Sequence, residues 1–193
     1  MERSLNRTLL WNTLRPNMNK LILNTLGRNL QNLRLAKGLS LSQLAQNAGI
    51  AKSNLSRIEQ GDGNPTLETI WRLAMQLKVP FGDLVASIQS PLGENGVQVK
   101  LIDQGNDNPR VDVYWMSCAP HTIKRSDAHF TGTTESITLI SGAIQAGEND
   151  NLHDLALGAS LTFSADKPHS YRTGDLWATL IMIITYPKQE TPT

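Results

Sequence analysis

Apolar residues recur at helical spacing through the first half of the chain and at strand spacing through the second, the period changing near residue 90. Leu41, Leu44, Ala45 and Ala48 fall at i, i+3, i+4 and i+7, the buried stripe of an amphipathic helix. Ser40, with Gln43 three residues on, forms a capping box that starts this helix. Gly49 supplies a tight turn, because glycine enters left-handed backbone without steric penalty. After it Leu55 and Ile58 point inward, whereas Lys52, Ser53, Asn54, Ser56 and Arg57 stay on the outer face. Two short helices joined by a tight turn, the second polar outside, are how a protein presents a helix to the major groove of DNA. Side chains of these types bond base edges and phosphates.

A preceding helix is expected from Asn24 to Lys37, carrying Leu26, Leu30, Leu33 and Leu35 and stopping at Gly38. Gly61 to Pro65 is a loop by composition. Thr66 then caps a helix running to Leu77 with Leu67, Ile70, Trp71, Ala74 and Leu77 inward, and Pro80 stops it. Trp71 is expected in the core and not as a base-stacking group. Turn formers from Ser90 to Gly96 mark a linker at 89–96. Beyond it come short runs at Val97–Ile102, Val111–Ser117, Ser136–Ile140, Ala159–Phe163 and Leu176–Thr185, divided by Gly, Asn, Asp and Pro clusters. Such runs predict a β-sandwich or barrel over 97–188.

Residues 1–20 carry a weak helical pattern that Pro16 ends, and they lack the sustained apolar core of a secretory signal. They read as a surface arm or a tag-like extension upstream of Met18, and 189–193 as a short tail.

Charge sharpens the division. Met1 to Ile88 holds eleven Lys+Arg against five Asp+Glu, and Gln89 to Thr193 holds seven against twelve, so a net charge of +1 conceals a basic half and an acidic one. A polyanion partner is expected on the first half alone. The single cysteine, Cys118, excludes an internal disulfide, fits a reducing cytosol and reads as a buried inert thiol. Leu176 to Tyr186, the most apolar run, is too short to span a membrane, so a cytoplasmic protein without membrane partners is expected.

Gly38-Leu39-Ser40, Leu44-Ala45, Gly49, Leu55-Ser56-Arg57-Ile58-Glu59-Gln60-Gly61 and Asn64-Pro65-Thr66-Leu67 resemble the lambda-repressor-like (XRE) helix-turn-helix family, from about Leu21 to Ala86. The resemblance implies a five-helix DNA-binding bundle over 21–88 and an ion pair between Arg34 and Glu59. It implies a double-stranded DNA operator met by Lys52 and Arg57, with Ser53, Asn54 and Ser56 beside them and Ser42, Gln43 and Asn64 on the backbone. Two departures stand out. Ala51, at the cap of the recognition helix, has no side-chain acceptor. Lys52 replaces the amide side chain of some members, so their base preferences do not transfer.

In the second half, His129-Phe130-Thr131-Gly132-Thr133-Thr134-Glu135, Gly142, Leu157-Gly158 and Ala165-Asp166-Lys167-Pro168-His169 resemble the two motifs of the cupin family, in particular the sensor cupins that follow XRE domains. The resemblance implies a double-stranded β-helix barrel whose open end takes a metal or a small molecule. His129, Glu135 and His169 match three of the usual metal ligands, and Asp127 falls near the fourth. Histidine and carboxylate suit zinc, iron or manganese, while the alternative is an organic ligand held without metal. Arg125 and Arg172 flank the expected mouth and can clamp a carboxylate such as an amino acid's. Trp115, Met116, Tyr171, Trp177 and Ile181 either wall a pocket or form plain core, and His121 and His153 sit in loop-like segments as solvated side chains.

The chain thus reads as a two-domain α + β protein, an all-α helix-turn-helix bundle followed by an all-β cupin. Its expected function is a homodimeric transcriptional regulator, not an enzyme, that binds an operator and senses a small-molecule effector. The competing reading is a metal-dependent cupin oxygenase or isomerase fused to a helix-turn-helix.

Overall fold

A computed structural model describes residues 20–188. The arm before Lys20 and the tail after Lys188 lie outside the described residues. Five helices come first: α1 over 20–36, α2 Leu41–Asn47, α3 Lys52–Glu59, α4 Leu67–Leu77 and α5 Phe81–Val85. The start of α2 follows its chemistry, since the Ser40 hydroxyl accepts from the Gln43 amide at 3.2 Å while the Ser40 amide donates back to the Gln43 side chain at 2.8 Å. Gly49 turns the chain at φ +63°, and Leu44, Ala45, Ala48, Leu55 and Ile58 close the core between α2 and α3. Thr66 caps α4 by accepting from the Thr69 amide at 3.0 Å.

Two expectations for these helices need correction. α1 is already formed at Lys20, and Leu35 is 60% exposed rather than packed. The buried stripe of α1 runs through Leu26, Leu30 and Arg34 at four-residue steps, and Leu35 lies a hundred degrees round from it. The stop of α4 belongs to Lys78, in left-handed backbone at φ 55°, and Pro80 instead caps α5.

Arg34 occupies that stripe because it has a partner. Its Nε donates to Glu59 Oε1 at 2.6 Å and its Nη2 to Oε2 at 2.9 Å, while Nη1 reaches the Leu39 carbonyl oxygen at 2.8 Å. The two side chains are 9% and 5% exposed. This bidentate pair ties α1 to α3 and so sets the recognition helix on the bundle.

Ten strands follow: β1 Leu92–Glu94, β2 Val97–Gln104, β3 Val111–Cys118, β4 Ile123–Ser126, β5 Thr134–Ser141, β6 Ile144–Glu148, β7 Asn151–Leu155, β8 Ser160–Ser164, β9 His169–Arg172 and β10 Ala178–Thr185. β3 pairs with β10, β4 with β9, β5 with β8 and β6 with β7, every pair antiparallel. That nesting is one long hairpin, its tip between β6 and β7, wound into a double-stranded β-helix. The winding deals the pairs into a six-stranded sheet ordered β1-β2-β3-β10-β5-β8 and a four-stranded sheet ordered β4-β9-β6-β7. The chain is therefore an all-α bundle followed by a cupin barrel.

The five expected runs appear as β2, β3, β5, β8 and β10 with ends moved by one or two residues. β4, β6, β7 and β9 were not expected, because each is short and polar on at least one face. β1 lies inside the segment read as a linker, paired to β2 from Leu92↔Val99 to Glu94↔Val97.

Buried side chains run without a break from the bundle into the barrel. α5 presses on β3, the Gly82 amide donating to Asp112 Oδ2 at 3.3 Å and the Phe81 amide to the Tyr186 hydroxyl at 3.2 Å. A Cβ on Gly82 would stand 2.6 Å from that carboxylate oxygen, so only glycine allows the approach. Asp83 reinforces it with Arg110 Nη2 at 2.5 Å and Gln104 Nε2 at 3.2 Å.

Arg34→Met leaves the Glu59 carboxylate buried and unpaired, so urea denaturation of this variant is expected to show a loss of about 3 kcal/mol. Adding Glu59→Leu recovers most of it, whereas an unchanged midpoint in the single variant contradicts the role given to the pair.

Candidate functional site

The first surface of interest is α3. Lys52, Ser53, Asn54 and Arg57 are exposed along it, Ser56 is half-buried, and Ser42, Gln43 and Asn64 are exposed on the flanking segments. Two of these side chains already hold the fold. The Gln43 carbonyl oxygen closes the capping box, and Arg57 Nη2 donates to the Asp62 carbonyl oxygen at 3.1 Å. The first turn of α3 starts at Ala51 in extended backbone with no side-chain cap hydrogen bond.

The second surface is internal. β5 directs Glu135 into the barrel, β9 directs His169, and the loop before β5 brings His129, whose amide is anchored on the Ala165 carbonyl oxygen at 2.8 Å. Their donor atoms lie within 4.8 Å of one another and all three residues are buried. His129 Nε2 stands 2.9 Å from Glu135 Oε1, and His169 Nε2 stands 3.4 Å from the same oxygen. His169 Nδ1 is held by the Lys167 carbonyl oxygen at 2.8 Å, which assigns its proton to Nδ1 and aims the Nε2 lone pair at the cluster. That Nε2 has no aligned hydrogen-bond partner.

Burial by itself pushes the Glu135 carboxyl up, but the hydrogen bond with His129 and the His169 ring beside it outweigh it and hold the group well below the ordinary carboxylate range. Tyr171 donates its hydroxyl to the other oxygen, Oε2. Donors around a first-row divalent ion at about 2.0–2.2 Å stand a little over 3 Å apart. The His129, Glu135 and His169 atoms, one of them orphaned, fit such an ion.

A cavity of about 20 Å³ adjoins the cluster, room for an ion or a water and for little else. Its floor includes Tyr114, Met116, Tyr171 and Met182 of the barrel, while its roof is Trp71 and Phe81 of the helical half. Trp71 lies flat on His129, ring centroids 4.1 Å apart at 12°, and on Phe81 at 4.5 Å and 22°.

Several sequence expectations change here. Arg125 and Arg172 are exposed on the outer face of the four-stranded sheet, because the strand period places Lys124, Ser126 and Tyr171 inward instead. Trp177 precedes β10 and is 59% exposed, away from the cavity. On β10 it is Met182, not Ile181, that lines the cavity. Asp127 is exposed and outside the cluster, near Glu68 of α4, whose carboxyl is pushed up by burial and by this acidic neighbour. His121 is exposed at 3.4 Å from Asp175, and His153 is exposed on β7 rather than in a loop. Cys118 is buried and its thiol is pushed up to about 11 by that burial. Trp71 was legible as a core residue but not as the roof of a site, since only the fold brings His129 beneath it, and Phe81 was not singled out at all.

The helix-turn-helix family model HTH_3 matches residues 30–84. The uncharacterized HTH-type transcriptional regulator y4dJ of Sinorhizobium fredii is 35% identical over 68 residues, which cover 35% of this chain and 88% of that one. The chain belongs to this helix-turn-helix family of transcriptional regulators. SutR, an HTH-type transcriptional regulator of Escherichia coli, is 29% identical over 158 residues, covering 77% of this chain and 87% of its own. The similarity extends through both halves in three dimensions. The crystal structure of an HTH_3 family transcriptional regulator from Vibrio cholerae superposes with a TM-score of 0.78 at 25% identity, covering 88% of this chain and 99% of that one. No helix among the described residues is long and apolar enough to cross a membrane.

Ala51→Ser supplies the missing acceptor at the start of α3, and thermal denaturation is expected to show a gain of about 1 kcal/mol. No gain, or a loss, contradicts the reading of that cap.

Proposed function

We propose that this protein is a cytoplasmic, non-enzymatic, homodimeric regulator that binds an operator through α3 and responds to what occupies the barrel. The observation that carries the proposal is the seat of Trp71. A side chain of the DNA-binding half rests directly on His129, a member of the only buried His/Glu cluster among the described residues.

On the DNA side, Lys52 and Arg57 take the leading contacts to bases or phosphates, with Ser53, Asn54 and Ser56 beside them and Ser42, Gln43 and Asn64 on the flanking backbone. A helix of eight residues reaches few base pairs, so specificity calls for two half-sites and two copies of α3. Whether the protein activates or represses follows from where that operator lies.

On the barrel side, His129, Glu135 and His169 hold a divalent ion, zinc, iron or manganese, which when bound supplies a Lewis-acidic anchor for an anionic effector. Lys124, facing the cavity one residue from the position expected of Arg125, adds a cation, so the effector class is a small carboxylic acid such as an amino acid. Such a molecule is larger than the 20 Å³ beneath the roof, and its entry displaces Trp71 and Phe81. The ligand then favours one arrangement of the two halves over the other, the differential affinity that control requires.

The test is operator selection with the purified protein, followed by titration of the selected fragment with and without zinc or manganese. Arg57→Ala is expected to weaken specific binding by about 1–3 kcal/mol, and the metal ion to shift the affinity of the wild type but not of Glu135→Gln. Selection of no specific fragment overturns the regulator reading, and an equal metal response in Glu135→Gln overturns the assignment of the cluster.

A further inference from the structure

The outer face of the six-stranded sheet has a composition unlike the rest of the surface. Strand alternation turns four positions of β3, four of β10, four of β5 and three of β8 outward, and not one is charged. At its centre Trp115 stands beside Ile181 and Val113 beside Ile183, cross-strand partners on β3 and β10. Ile183 is 36% exposed, and Ile140 on β5 is also exposed. Around this apolar centre lie hydroxyls that already satisfy one another. Thr138 Oγ1 is 2.8 Å from Ser160 Oγ, and Thr162 Oγ1 donates to Ser136 Oγ at 3.0 Å. Charges return on the next strand, β2, where Lys100 and Asp103 are the cross-strand partners of Trp115 and Val113, so the uncharged face spans β3, β10, β5 and β8. The helical half docks elsewhere, against inward-facing groups such as Tyr114, Asp112 and His129.

We propose that this face is where two copies of the chain pair, back to back through their six-stranded sheets. A two-fold contact sets a surface against itself, so any charge meets its own sign. An uncharged face is the one that can do so without that penalty. Charge depletion over an apolar centre is the compositional mark of an interface core, and hydroxyls paired along the strands lose little when water leaves. Three strands of eight residues and one of five, about 4.8 Å apart, present on the order of 500 Å² in plan. Two such faces together reach the roughly 1,000 Å² that distinguishes a specific interface from an incidental contact. The inference rests on the regulator reading only for its use, which is to hold two α3 helices for two half-sites.

Sedimentation equilibrium of the full chain tests it. The wild type is expected to be a dimer, and Ile183→Glu and Thr138→Lys, each placing like charges across the two-fold axis, are expected to weaken dimerisation about a hundredfold or more while retaining the wild-type circular dichroism. As a measurement that needs no disruptive charge, Ile183→Cys carrying a spin label adds an accessible thiol while Cys118 stays buried. Packed sheet faces lie about 10 Å apart, so the two labels should fall within about 30 Å of each other. A monomeric wild type, a dimer that survives in the folded charge variants, or the absence of that intermolecular distance overturns the inference. A monomer that still binds its operator overturns it alone and leaves the regulator reading standing.

Discussion

The contact on which the rest of the molecule depends is the stack of Trp71 on His129. It joins the longest apolar helix of the bundle beyond α1 to the one loop that carries a cluster residue, and it closes the barrel at the same time. An aromatic pair of this geometry is worth about 0.5–1.5 kcal/mol beyond the area it buries. Removing it is therefore within reach of a small ligand's binding energy. Around it the hydrogen bonds from Phe81 and Gly82 to Tyr186 and Asp112 fix how far α5 sits from β3. A strong, short interface with an easily traded stack at its centre is what a switch between two arrangements needs.

Two buried carboxylates divide the work of this interface. Asp112 accepts from the Gly82 amide and from the hydroxyls of Tyr114 and Tyr186, so its charge is spent on binding the halves together. Glu135 accepts from Tyr171 and faces two histidines, one of which presents an unpartnered nitrogen. The first site is closed and structural. Asp112 Oδ1 also lacks a hydrogen bond but faces Arg110 Nε at 3.6 Å, whereas the His169 nitrogen belongs to a cluster of three side chains able to ligate a metal, and the proposed binding site rests on that difference.

The helical half was largely legible from the sequence because its determinants are local. The Ser40–Gln43 box, the turn at Gly49 and the Thr66 cap each lie within a few residues of what they control. Leu35 misled because leucines at 26, 30, 33 and 35 admit two faces, and the Arg34–Glu59 pair chose between them. In the barrel, strongly apolar strands were legible and β6 and β7 were not, since Gln145, Gly147, His153 and Asp154 become strands only through their neighbours in the sheet. The cluster residues were legible by resemblance and the side chains around them were not. Lys124 and Arg125 are both basic, so only the register of β4 against β9 decides which one faces the cavity. Trp71's partner is distant in sequence, and no local pattern names it.

Hydrogen exchange at the backbone amides of Phe81 and Gly82 in the intact protein is the most direct test of this arrangement. Both amides are expected to be protected to the level of the barrel core, and to lose that protection in Trp71→Ala while the amides of α2 and α3 keep theirs. Rapid exchange at the two amides in the wild type, or protection indifferent to Trp71, would mean that the helical half does not close the barrel and would contradict the account.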